Sequence, residues 1–105
     1  MTVSMGIRHR ASGEYEVVHI ATSGGFDRAW RPAAEQLGLG LVAQFADGAL
    51  TGVAPWQVPL ITAEVGRLRQ WLSGQPGGEH MAERCADILG AFARTDPAAC
   101  EYDFG

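Results

Sequence analysis

The chain has 105 residues and 11.2 kDa, 47% hydrophobic and 19% charged, which is the size and balance of one globular domain over residues 1–105 and not of a disordered segment. Its net charge of −4 comes from twelve acids against eight arginines and no lysine; without a basic cluster, nucleic acid and anionic membrane surfaces are not expected partners. No run approaches the ~18 apolar residues of a membrane span, and the opening residues lack the basic head and apolar core of a secretory signal, so a cytoplasmic protein is expected.

Residues 3–10 and 14–21 alternate as two strands joined by Ala11-Ser12-Gly13. A three-residue hairpin loop ending in glycine sets Arg10 opposite Glu14 and Arg8 opposite Glu16. The other face then carries Val3, Met5, Ile7, His9, Tyr15, Val17 and His19 toward the core. Thr22-Ser23-Gly24-Gly25 follows as a connecting loop, and such a loop before a helix can also present N–H groups to an anion. Pro32 is unfavourable deep inside a helix, so a short turn over 27–31 and regular helix over 32–37 are expected, closed by Gly38.

Residues 41–46 and 49–53 flank Asp47-Gly48, a strong two-residue hairpin signal that places Phe45 opposite Leu50. Pro59 suits the first turn of a helix running to Ser73, with Leu60, Ile61, Val65, Leu68, Trp71 and Leu72 as its apolar stripe. A third helix spans 79–95, with Met81, Cys85, Ile88, Leu89 and Phe92 on one face and His80, Arg84, Asp87 and Arg94 on the other; Asp96-Pro97 stops it. The tail 100–105 alternates, so Tyr102 and Phe104 dock together or add a strand. The expected fold is α+β: an antiparallel sheet of two hairpins, four strands or five with the tail, and three helices mainly on one face, in the order β-β-α-β-β-α-α.

Chemistry-bearing residues are few. Cys85 and Cys100 form no CxxC pair, and a cytosolic chain keeps such thiols reduced. The hairpin register separates His9 from His19 by about 13 Å, too far for two ligands of one ion, so neither a metal nor a cofactor is expected. No nucleophile elbow, zincin motif or phosphate-binding loop is present, and Asp103-Phe104-Gly105 stands without any other kinase element. Glu64 projects from inside the apolar stripe between Leu60, Leu68 and Trp71, where a carboxylate must find partners or shift its pKa. It reads either as a structural acid tied to Arg67, a backbone N–H or an indole, or as part of a pocket with His19 and Tyr15. Among the aromatic residues, Trp71 belongs to a core stripe, whereas Trp56 lies in Ala54-Pro55-Trp56-Gln57-Val58-Pro59, a rigid connection where it reads equally as an exposed interface anchor or as a cap on the edge of the core. Trp30, Tyr102 and Phe104 are the other interface candidates.

The pattern Trp30…Leu37-Gly38-Leu39, then Pro55…Pro59…Glu64…Leu68…Trp71-Leu72, and the ending Tyr102-Asp103-Phe104-Gly105 resembles the small immunity-type proteins of bacterial polymorphic toxin systems. That resemblance implies a compact, acidic, non-catalytic protein that neutralises a partner protein through an individually shaped surface, and it assigns no functional residue. The acidic balance favours a basic partner by steering, and a homo-oligomer is compatible with the sequence. The alternative is a small-molecule-binding or enzymatic α+β domain, with a pocket between sheet and helices near Glu64.

Overall fold

The computed structural model describes residues 1–105. Its strands are β1 (Thr2–His9), β2 (Tyr15–Thr22) and β3 (Cys100–Phe104), joined in one antiparallel sheet of order β2-β1-β3. Four helices lie between β2 and β3. The first, α1, is a continuous run over residues 23–37 made of Ser23–Gly25, a wide π-turn at Phe26–Trp30 and Arg31–Leu37. A single turn, α2 (Gly40–Ala43), precedes α3 (Val58–Leu72), which follows a 3-10 turn at Pro55–Gln57, and α4 (Glu79–Ala93). The order is β-β-α-α-α-α-β, so the α+β class holds while the expected second hairpin and three-helix count do not.

The first hairpin forms with its register one residue away from expectation. His9 N–H donates to the Glu14 carbonyl and Gly13 N–H to the His9 carbonyl, leaving a four-residue connection in place of three. Arg10 is drawn instead toward β3, donating its N–H to the Ala99 carbonyl. Arg8 therefore faces Tyr15 and Ile7 faces Glu16, and the Arg10–Glu14 and Arg8–Glu16 pairs are absent. Because side chains alternate, this one-residue slip turns all of β2 over. Tyr15, Val17 and His19 point outward, while Glu16 and Val18 share the inner side with Val3, Met5 and Ile7. Ile20 follows on the same side by alternation, and the bulge opposite Val3/Ser4, where Ile20 is the extra residue, brings Ala21 opposite the inward-facing Val3.

The expected loop at Thr22-Ser23-Gly24-Gly25 is the start of α1. Thr22 Oγ1 accepts the Gly25 N–H at 3.0 Å, the work of an N-cap hydroxyl. Pro32 sits inside the run without breaking it, because the preceding turn is widened: Arg31 N–H reaches the Phe26 carbonyl. A proline ring crowds the carbonyl four residues earlier, and a π-turn before it relieves that contact. The helix ends where glycine predicts, with Gly38 at φ +71° and Leu39 N–H donating to the Ala34 carbonyl.

Residues 41–53 depart furthest from expectation. Gly48 has φ +70°, but residues 41–46 are not a strand. They wind through α2 and a turn, while Leu50–Val53 runs along the outer edge of β3: Phe104 N–H donates to the Leu50 carbonyl and Val53 N–H to the Tyr102 carbonyl. Long-range side chains hold this arrangement at both ends. Glu64 Oε1 accepts the Leu41 and Val42 N–H groups at 2.9 and 3.0 Å, and Arg31 Nη1 donates to the Ala43 carbonyl at 2.9 Å. Arg31 also pairs with Asp47 at 3.0 Å and Asp27 at 3.3 Å. Phe45 is pulled inward to stack on Phe104, ring centroids 4.3 Å apart. The local preference of Asp47-Gly48 for a hairpin is outweighed by these contacts.

Helices α3 and α4 match their predicted extents to within two residues and pack on the inner face of the sheet through Ile61, Val65, Leu68, Cys85, Ile88 and Phe92. The tail adds a strand, and Cys100, Tyr102 and Phe104 alternate into the same core. No helix is long and apolar enough to cross a membrane.

Candidate functional site

Glu64 is the residue whose role the geometry decides most fully. Its position on α3 brings the carboxylate to the start of α2, where four N–H groups lack helical partners. One oxygen satisfies two of them, and a carboxylate is favoured at that positive end of a helix. Of the three structural tethers open to it, the backbone N–H is the one realised. Arg67 instead reaches the Leu37 carbonyl at 3.4 Å.

The three pocket candidates do not converge. Tyr15 lies on the outer face of the sheet, its ring over Gly6 and under the Arg8 guanidinium, 5.4 Å from ring centroid to Arg8 Cζ. His19 is also outward, beside open clefts toward α4, and Glu64 lies at α2. No cavity is lined by two of the three. Among the interface candidates, Trp30, Tyr102 and Phe104 are core residues, each at most 2% exposed. Trp30 stacks near Phe26, and Tyr102 meets Phe92 edge-on while its hydroxyl lies 2.7 Å from Thr95 Oγ1. Alternating aromatics in a strand serve a core and an interface equally well in sequence, and here they fill the core.

Trp56 is different. It is 69% exposed, the most exposed large hydrophobic residue after the terminal Met1, and Leu60, one helical turn on, is 49% exposed. Their frame is rigid: Pro55 and Pro59 fix two backbone torsions, and Gln57 Oε1 accepts the Ala54 N–H at 2.8 Å. An apolar pair held out on such a frame is suited to contact and carries no group for acid–base or nucleophilic chemistry. No family model, curated protein or solved structure matches this chain. The surface is therefore read from its own geometry.

Sequence reasoning missed one cluster altogether. Glu16, turned inward by the register slip, pairs with Arg94 at 2.8 Å and with His9 Nε2 at 2.5 Å, while His9 Nδ1 lies 3.5 Å from Cys100 Sγ. The Arg94 hydrogen bonds, followed by that to His9, hold the Glu16 carboxyl down at about 2. An ionised carboxylate only accepts, so His9 carries its hydrogen on Nε2 and, when neutral, leaves Nδ1 to accept from the thiol. The order thiol, imidazole, carboxylate is that of a cysteine nucleophile and its base. However, Cys100 is 2% exposed and lines no cavity, so nothing brings a substrate to its sulfur. The cluster ties the loop end of the β1–β2 hairpin and the start of β3 to Arg94 at the end of α4. Cys85 is equally closed off, its thiol pushed up to about 12 by burial, and the two cysteines are unbonded. The signal for this cluster was the pair Glu16 and Arg94, seventy-eight positions apart, which no local pattern connects.

Proposed function

We propose that this chain is a non-catalytic protein-binding domain that acts as an immunity-type protein, engaging a basic partner through a surface centred on Trp56 and flanked by Leu60. The observation that carries the reading is the exposure of Trp56 on a proline-braced turn. Folding gains little from leaving a tryptophan in water, and tryptophans so placed are the residues that dominate binding energy at interfaces. The net charge of −4 supports a basic partner, because opposite net charges accelerate encounter. The fate of Glu64 supports it too, since this carboxylate inside the α3 apolar stripe is occupied in capping α2.

The test is protection of growth. The gene adjacent to this one is expressed in a host cell, with and without this chain. Wild-type protein should relieve the growth arrest caused by the neighbour's product, Trp56→Ala should not, and Glu64→Gln should still protect. Protection by Trp56→Ala at equal expression, or no arrest by the neighbour's product, contradicts the proposal.

A further inference from the structure

The two edges of the sheet are treated differently. The outer edge of β3 is covered by residues 50–53, whose main-chain groups bond to Tyr102 and Phe104, and Asp103 Oδ1 accepts the Gly52 N–H at 2.7 Å. The outer edge of β2 has no such cover. Since the His9–Glu14 bond closes the hairpin, alternation directs the main-chain groups of Glu16 and Val18 to β1 and those of Tyr15, Val17 and His19 away from it. No main-chain or side-chain bond uses these outward groups. Proteins often blunt an open edge with lysine or proline; β2 has neither, its one inward charge, Glu16, is paired with Arg94 and His9, and its outward side chains include Tyr15 at 54% and Val17 at 61% exposure.

The geometry points to this edge as a self-association surface, β2 pairing antiparallel with β2 of a second copy about a two-fold axis at Val17 to form one six-stranded sheet. The pattern of free groups is symmetric about Val17, as an isologous contact requires. Val17 then meets the partner's Val17, and Tyr15 meets the partner's His19. Charge selects a copy of this chain over an acidic or basic segment of another protein. Beside the edge lies an open cleft of about 480 Å³ toward α4, bordered by Arg84 and Arg94. Each is already neutralised, Arg84 by Asp87 at 3.0 Å and Arg94 by Glu16 at 2.8 Å. Arg84 also has Glu83 at 3.9 Å. With both arginines beside the edge paired inside the chain, no free cation is left there to recruit an acidic segment, and β2 itself offers a basic segment only Glu16, which is already paired. Gly90 and Ala86 on the cleft side of α4 leave space for the approach. The surface lies on β2 and Trp56 on the 3-10 turn before α3, and the inference does not depend on the proposed function.

Sedimentation velocity over a micromolar to millimolar series tests it on the full chain. Wild-type protein should pass from monomer to dimer. Val17→Pro should stay monomeric, because it deletes an outward N–H that folding does not use and sets a ring against the copy. Val17→Lys, placing two cations face to face, should also stay monomeric, and circular dichroism should show both variants folded. A wild-type monomer throughout the series overturns the inference and leaves the edge to an extended segment of another protein. A dimer that persists in both folded variants also overturns it, assigning association to another surface; loss in both with Trp56→Ala still dimeric supports it.

Discussion

At the scale of single residues, Glu64 shows how a carboxylate inside an apolar stripe is a structural acid. It caps a helix that is distant in sequence, and its partners are two main-chain N–H groups. Replacement therefore has a defined sign. Glu64→Gln retains an acceptor of the same reach and should cost within about 1 kcal/mol, the difference between a charged and a neutral hydrogen bond. Glu64→Leu removes the acceptor and leaves two half-buried donors unpaired, which should cost about 1–3 kcal/mol. Urea unfolding of the two variants separates these outcomes. A Leu variant as stable as the wild type would mean that water replaces the carboxylate at α2.

At the scale of elements, α3 and α4 were legible because their signals are local. Pro59, the stripe through Ile61, Val65 and Leu68, and the stop at Asp96-Pro97 all lie within one or two turns of what they determine. Gly38 ended α1 for the same reason. The failures were decided at a distance. A strand's face depends on its loop length to the residue, and one extra position before Gly13 reversed β2 and exposed Tyr15 and Val17. Asp47-Gly48 lost to Arg31 and Glu64, whose positions relative to residues 41–47 no window of sequence reveals. Of the candidate site, the rigid frame of Trp56 was legible because prolines on both sides constrain it locally, whereas nothing local told the exposure of Trp56 from the burial of Trp30, Tyr102 and Phe104. Arg31 gives a prediction at this scale. Asp47, then Asp27, raise its pKa further, so it stays a cation at any working pH. Arg31→Met should speed amide exchange over residues 40–48, with α3 and α4 protected as before. Unchanged exchange in that segment would show that the Phe45–Phe104 stack and Glu64 suffice to hold it.

At the scale of the whole molecule, Glu16 joins the hairpin to α4, and its depressed pKa links fold stability to pH. Its carboxyl titrates at about 2 in the folded protein against an ordinary value of 4.5. The unfolded chain therefore takes up the proton first, so the stabilisation is present above pH 4.5 and is lost as pH falls toward 2. Melting temperature should fall across that window, and Glu16→Gln should flatten the fall while lowering stability at neutral pH. An unaltered acid limb in the variant would place the effect on other carboxylates.

Of the aromatic residues only Trp56 and Tyr15 are exposed, with Trp71 half-buried and the rest in the core, and the one exposed tryptophan stands on a rigid turn with Leu60. That contrast is the basis for reading a binding protein. Titration calorimetry of the purified chain against the product of the adjacent gene tests it most directly. Trp56→Ala should weaken binding by about 2 kcal/mol, roughly thirtyfold, as loss of an interface anchor does, with Glu64→Gln binding like the wild type. A Trp56→Ala protein that is folded and binds with undiminished affinity would contradict the account.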